Sequence, residues 1–302
     1  MARLVAPIQG RLVRDGRHLT TPYGHDLESP FWQGAEIGFL ESGRAAEEAA
    51  REVLGRGLVL GVHYPIVQAH AWDWAPFWLA PDAEARRTAQ RQARTAMARA
   101  AELGASYILF HYPWPALLAP VVDYEAAGWK IPPVAQAAGL WPRARLEETS
   151  ERILRDLERA GKEHAIRVVL ELDGPNAAFF EPEPERDLCS ELFAAHPGLD
   201  LCVDTGRFGL LARQHGGDPY AYAVRWLEFT GHLHLHGASW DRGANHLPPL
   251  PEHEDDPGFV PAAAMARLVL SAHPDALVVL ETDLRGCGTE VALRSMRYCA
   301  SL

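Results

Sequence analysis

Lysine is almost absent from this 302-residue chain: Lys130 and Lys162 are the only two, and neither ends an apolar, strand-like run. A desolvated lysine is what a Schiff-base aldolase or a pyridoxal enzyme needs, so both classes are disfavoured. Cysteine is scarce as well. Cys189, Cys202, Cys287 and Cys299 make no C-x-x-C pair and sit in apolar segments, the pattern of reduced, buried thiols in a cytoplasmic protein rather than of disulfides or a cysteine-bound zinc. No run of about 18 apolar residues is present to span a bilayer, and the opening MARLVAPIQGRLVRDG lacks the apolar core and cleavage site of a signal peptide. A soluble, cytoplasmic protein is expected. Positive charge is also short: with 40 acidic residues and a formal net charge of -11, the chain repels a phosphate backbone. That disfavours nucleic acid and an anionic membrane surface, and favours a small neutral or metal-chelated substrate. The sequence leaves a homo-oligomer open.

What is present is ample material for a core, with 48% hydrophobic and 23% charged residues, and one domain over 1–302 is expected. Apolar, β-branched runs recur as RLVAPIQ (3–9), AEIGFLE (35–41), LVLGVHYP (58–65), YILFHYP (107–113), RVVLELD (167–173), LDLCVDTGR (199–207), GHLHLHG (231–237) and LVVLETD (277–283). Between them lie segments of helical period, among them 45–57, 82–105 and 143–165, with apolar residues every three or four positions. Strand and helix in strict alternation imply parallel pairing. Eight such units suit a (β/α)8 TIM barrel, which needs about 250 residues plus insertions, better than an open doubly wound sheet. The strand-to-helix connections 66–81, 114–142, 174–185 and 238–258 are long, and in a barrel all of them emerge on the C-terminal face, where active sites lie. The first two carry Trp72, Trp74, Trp78, Trp114, Trp129 and Trp141, either as pocket walls or as an aromatic cluster packing loops onto the barrel.

The stretch GHLHLHGASWDRGANHLPPLPEHEDD (231–256) poses the functional question. If 231–237 is a strand, His232, His234 and His236 share one face while Leu233 and Leu235 share the other. Glu36, His63, His111, Glu171, Asp204, His234 or His236, and Glu281 all fall near the C-terminal ends of strands. A lone histidine in an apolar run is more often structural than a ligand, and Glu281 is also placed to cap a helix. Barrel closure, however, brings strand ends distant in sequence to one rim. Carboxylates and imidazoles without thiolate suit divalent manganese, cobalt, zinc or iron. Glu171, Asp204, His234 and Glu281 form the smallest ligand set, with His236 on the same strand face as the alternative to His234. Arg207 and Arg242 are candidates for a substrate carboxylate or phosphate, against a plain ion pair with a loop acid.

The order of these motifs, Glu171 in VVLEL, Asp204 in CVDTGR, His234 in HLHLHGA and Glu281 in VVLET, resembles the xylose-isomerase-like TIM barrels from about residue 35 to the C-terminus. That superfamily spans sugar isomerases, ketose 3-epimerases, inosose dehydratases and endonuclease IV-type enzymes. The resemblance implies that the four residues hold one divalent metal and that the two glutamates double as acid and base. It also implies that His63 and His111 join Glu171 at a second metal in the endonuclease branch, with His246 near a further histidine position. Two departures stand out: Asp204-Thr205-Gly206-Arg207 where the family often reads Asp-x-x-His, and His234-Leu235-His236-Gly237 where it often reads His-x-x-Asp.

Two reactions follow from this reading. The first is isomerisation or epimerisation of a sugar or polyol by proton transfer through an enediolate, with Glu171 and Glu281 as the proton-moving pair. The alternative is metal-assisted hydrolysis of a small phosphodiester, with His63 and His111 completing a two-metal site.

Overall fold

The computed structural model describes residues 2–9, 30–68, 76, 78–80, 82–112, 143–172, 188–209, 218–239, 244–282 and 288–302. The eight apolar runs become the strands β1 (Arg3–Gln9), β2 (Trp32–Gly38), β3 (Val59–His63), β4 (Tyr107–Tyr112), β5 (Arg167–Leu172), β6 (Leu199–Asp204), β7 (Thr230–His234) and, last in the chain, β10 (Leu277–Val279). They pair in parallel throughout and close in the order β1-β10-β7-β6-β5-β4-β3-β2. This is the (β/α)8 barrel that the strand–helix alternation predicts. Between strands lie α1 (Gly43–Gly55), α2 (Ala83–Glu102), α3 (Arg143–His164), α4 (Leu188–Ala195), α5 (Pro219–Arg225) and α6 (Ala262–Ala272), and α7 (Thr289–Ser301) follows the last strand.

The helices form where the sequence supplies both a cap and a stripe. Ser42 accepts a hydrogen bond from the Ala45 N–H at 3.1 Å and Asp82 from the Ala85 N–H at 2.7 Å, each satisfying a first-turn donor that has no partner inside its helix. α1 then buries Ala46, Ala49, Ala50 and Val53, the spacing of a single helix face. Small residues on that face let the helix lie close to the sheet. The outer core, between strands and helices, is separate from a smaller one inside the barrel, where Val5, Tyr107, Leu109, Val169, Cys202, Leu277 and Val279 meet. Among the described residues no helix is long and apolar enough to cross a membrane. Cys189, Cys202 and Cys299 are buried, while Cys287 lies outside the described residues.

The strand ends correct the sequence reading in four places. β2 begins at Trp32, earlier than the apolar run suggests, and stops at Gly38. β6 ends at Asp204, because residues 205–209 turn directly into helix. β7 and β10 stop at His234 and Val279 rather than at 237 and 283, although the bonds Leu235 N–H to Val279 O (2.8 Å) and Glu281 N–H to Leu235 O (3.1 Å) carry the pairing slightly further. The connection read as a plain loop from 238 holds an antiparallel ribbon, β8 (Gly237–Ser239) with β9 (Ala244–Leu247). The tryptophan-rich stretches fall largely outside the described residues. Trp78 is described: it is fully buried and donates its indole N–H to the His111 carbonyl at 2.9 Å.

One glycine shapes the barrel interior. Glu36, Gly61 and Tyr107 lie in register on three adjacent strands. The Tyr107 ring passes over Gly61 so that its hydroxyl donates to Glu36 Oε2 at 2.9 Å. A Cβ at position 61 would sit 2.1 Å from Tyr107 Cζ, and the ring, hydrogen-bonded and packed at 4.5 Å against His232, has no room to swing aside. Gly61→Ala is therefore expected to cost about 1–3 kcal/mol, the range for overpacking a closed core. Urea denaturation checks this, and in a Tyr107→Leu background the alanine should cost less than half as much; an equal cost in both backgrounds would show that the ring is not the obstacle.

Candidate functional site

Parallel register delivers the polar residues to one end of the barrel. His111 on β4 is the register partner of Glu171 on β5, and Asp204 on β6 is the partner of His234 on β7. Glu36, His63, His111, Glu171, Asp204, His234 and His236 are all buried, so the histidine-bearing strand lines an interior rather than edging an aqueous surface. Alternation holds for His232 and His234, with His232 one layer deeper against Tyr107. His236 lies beyond the end of β7. Its ring still turns inward, with Nε2 2.9 Å from Asp204 Oδ1 and its face stacked on His246 at 4.3 Å. Gly206 makes this possible, since a Cβ there would meet His236 Cε1 at 2.0 Å. His246 arrives on β9, where its Nδ1 is 2.9 Å from the Glu281 carbonyl.

His234 is the hub. Its Nδ1 lies 3.3 Å from Glu171 Oε2 and 3.2 Å from Glu281 Oε2, and its Nε2 lies 3.4 Å from Glu36 Oε1. His63 Nε2 approaches Glu171 Oε2 at 3.6 Å and His111 Nδ1 approaches it at 3.8 Å. Arg207 lies against the acids of the site itself: its Nε is 3.2 Å from Glu171 Oε1 and 3.3 Å from Asp204 Oδ2. Asp204 in turn caps the helical turn at 205–209 by accepting the Arg207 backbone N–H at 2.7 Å. Arg242 lies outside the described residues.

These contacts set the charge states. Burial raises the carboxylate pKa of Asp204, yet His236 and Arg207 outweigh it and hold the group well below its usual range. For Glu281, burial is likewise outweighed, by His234, His246 and His236. Burial opposes charge on His234, but the surrounding carboxylates push its pKa well above the ordinary histidine value. His111 goes the other way, because burial and then the Arg207 charge keep it neutral. His232 is pushed down to about 3 by burial and, secondarily, Arg167, so it stays neutral as well.

The donor set fits a divalent cation. Both carboxylate oxygens of Glu171, Oδ2 of Asp204 and both ring nitrogens of His234 are buried without a properly directed hydrogen bond among the described residues. Such atoms are costly unless something satisfies them. Asp204, His234 and Glu281 offer ligand atoms within 4.8 Å of one another, as do His63, Glu171 and His234, and His236, His246 and Glu281. An ion with bonds of 2.0–2.2 Å in tetrahedral geometry needs donor atoms about 3.3–3.6 Å apart, and the spacings around His234 Nδ1, 3.2 and 3.3 Å, lie close to that.

A family described as xylose isomerase-like TIM barrel matches residues 28–300. The chain belongs to that family. A comparison with curated proteins found no significant sequence match. Among solved structures, the TTHB071 protein from Thermus thermophilus, soaked with zinc chloride, is 24% identical over 99% of this chain and 98% of that one, with a TM-score of 0.60. The 3-keto-D-glucoside 4-epimerase YcjR from E. coli, in its apo form, is 13% identical over the whole of both chains, with a TM-score of 0.61. The IOLI protein with a bound zinc atom is 12% identical over 98% of this chain and 96% of that one, with a TM-score of 0.56. At these identities the likeness is one of fold.

Within the xylose isomerase-like frame, the structure brings Glu171, Asp204, His234, Glu281, His63, His111, His236, His246 and Arg207 together. It adds Tyr107 and gives Glu36 a definite place. Glu36 stood out in the sequence as a strand-end acid, but nothing there tied it to His234; the signal for Tyr107 was the glycine in register beside it, which only barrel closure makes meaningful. A carboxylate behind an imidazole fixes the tautomer and direction of the ring. Glu36→Gln is accordingly expected to weaken zinc binding about 10–100-fold while leaving the far-UV circular dichroism spectrum intact. Zinc affinity equal to the parent's, by competition with a chromophoric chelator, would remove Glu36 from the site.

Proposed function

We propose that this member of the family is a divalent-metal-dependent isomerase or epimerase of a sugar or polyol-like substrate, moving a proton between the two faces of a carbon next to a carbonyl. The observation that carries the reading is the pair Glu171 and Glu281, two carboxylates far apart in the chain that approach a single imidazole nitrogen, at 3.3 and 3.2 Å. Glu171, Asp204, His234 and Glu281 would hold the ion. When bound, it supplies Lewis-acid stabilisation of the charge that builds on a carbonyl oxygen as the neighbouring C–H proton leaves.

The chain's own residues do the rest. One glutamate takes the proton from one face of an enediolate-forming carbon, and the other returns a proton to the opposite face, which gives epimerisation without a redox cofactor. Glu171 stands on β5 itself, and Glu281 lies two residues beyond the end of β10, where its backbone N–H still bonds the Leu235 carbonyl at 3.1 Å. Burial strengthens each charge interaction by lowering the effective dielectric constant. His236 and Arg207 hold Asp204 ionised, so that acid remains an anchor rather than a proton donor. The fold likeness to an epimerase and to zinc-containing structures supports the same reading.

The alternative, hydrolysis of a small phosphodiester, draws on His63 and His111 beside Glu171. Two experiments test the proposal, the first its metal and the second its reaction. Asp204→Ala should lose stoichiometric metal by elemental analysis while remaining folded, because barrel strands are held by side-chain layers. In heavy water, a panel of ketoses and inososes should yield a member that takes up deuterium at the reacting carbon. Glu171→Gln and Glu281→Gln should each slow that exchange by about 10²-fold or more, the usual weight of a positioned acid or base. A panel that never exchanges, alongside cleavage of a small phosphodiester, would hand the site to the hydrolase reading.

A further inference from the structure

Beside the ligand set lies a second convergence of donors. His63 Nε2 and His111 Nδ1 both face Glu171 Oε2, at 3.6 and 3.8 Å. His63 Nδ1 lies 2.7 Å from the Tyr64 carbonyl. A carbonyl only accepts, so Nδ1 carries the proton and the Nε2 lone pair points into the site. Taken alone, these two imidazoles and a shared carboxylate invite a second ion.

Arg207 stands in the way. Its Nη1 lies 3.1 Å from His111 Nδ1. Guanidinium nitrogens only donate, so the His111 nitrogen is the acceptor, and the lone pair that a metal would need is already engaged. Its Nε faces Glu171 Oε1 at 3.2 Å and Asp204 Oδ2 at 3.3 Å, drawing on the same anionic charge that a second ion would. The side chain is only 15% exposed. Its root is fixed as well, because the backbone N–H of Arg207 caps on Asp204. A guanidinium keeps its charge at any ordinary pH, and a divalent ion placed against it would meet an unscreened like charge in a buried site. His234 cannot make up the missing ligand, since its Nδ1 serves the first position and its Nε2 faces Glu36.

We propose that Arg207 is a built-in cation filling the place of a second metal ion beside Glu171 and His111, so that the centre takes one divalent ion rather than two. The inference rests on the metal-binding reading above and deepens it. A guanidinium balances the carboxylates but has no bound water to ionise, so a centre built this way lacks the second ion that two-metal hydrolysis uses and keeps what a one-metal proton transfer needs.

The test is a count. Chelator-stripped protein is brought to equilibrium with zinc chloride by dialysis, and bound zinc per chain is measured by elemental analysis, with circular dichroism reporting the fold. The native chain is expected to hold one zinc. Arg207→Ala and the nearly isosteric, uncharged Arg207→Met are each expected to hold two, and Arg207→Ala combined with His111→Ala is expected to return to one. Two zinc ions in the native chain overturn the inference while leaving the metal reading in place, and need no variant to fold. One zinc in a folded Arg207→Ala or Arg207→Met protein overturns it equally. No zinc in the native chain removes the metal reading and this inference together.

Discussion

Glu36, Glu171, Asp204 and Glu281 place four carboxylates in the mouth of a barrel whose walls exclude water, and an uncompensated ion in such a place costs several kcal/mol. The surroundings answer that charge. Arg207 lies against Glu171 and Asp204, and His236 pairs with Asp204. His234, within reach of three of the four acids, is drawn strongly toward its protonated form. Even so, the oxygens of Glu171 and one oxygen of Asp204 are left without a directed hydrogen bond among the described residues. A cluster of this kind suits added positive charge, and a divalent cation would supply it with the coordination that these atoms lack.

Beneath the acids lies a mostly aliphatic floor whose few polar side chains stay neutral in charge. Tyr107 crosses from β4 over Gly61 to reach Glu36, and burial beside that acid raises the phenol well above its usual pKa. Cys202, buried in the same inner core, is pushed up to about 12 and stays a thiol. His232 stays an uncharged imidazole. The layer therefore holds side chains in place without adding charge to the site above it. Rigidity of this sort keeps a carboxylate at the separation its chemistry needs. It also explains glycines in two unlike settings: Gly61 yields space to a ring inside the barrel, and Gly206 yields space to His236 at the rim.

Much of the site was legible because the (β/α)8 barrel converts a one-dimensional pattern into a ring. Glu171, Asp204 and His234 lie in or at the end of runs that read as strands, and closure brings such ends together whatever their separation in sequence. What could not be read was depth and direction. His234 and His236 share a strand face on paper, yet the strand stops at His234, and the two rings reach different partners. Arg207 looked equally suited to a substrate anion or a loop acid; the helical turn that starts at Thr205 also brings it against Glu171, Asp204 and His111, which the sequence did not show. The ribbon of β8 and β9, which delivers His246, was hidden in a stretch whose prolines and charges read as loop.

Architecture and the chemical kind of the site are written along the chain, because hydrophobic periodicity decides which residues form strands and helices, and side-chain type decides which atoms can bind a cation. The near-absence of lysine, equally plain in one dimension, argues against covalent lysine chemistry. Folding in three dimensions settles which nitrogen faces which oxygen, that Glu36 backs His234, and that a guanidinium lies against Glu171 and His111. Those are distances of a few ångströms between strands far apart in the chain. They are set by register, by where each strand stops, and by the space that two glycines leave open, none of which local sequence encodes.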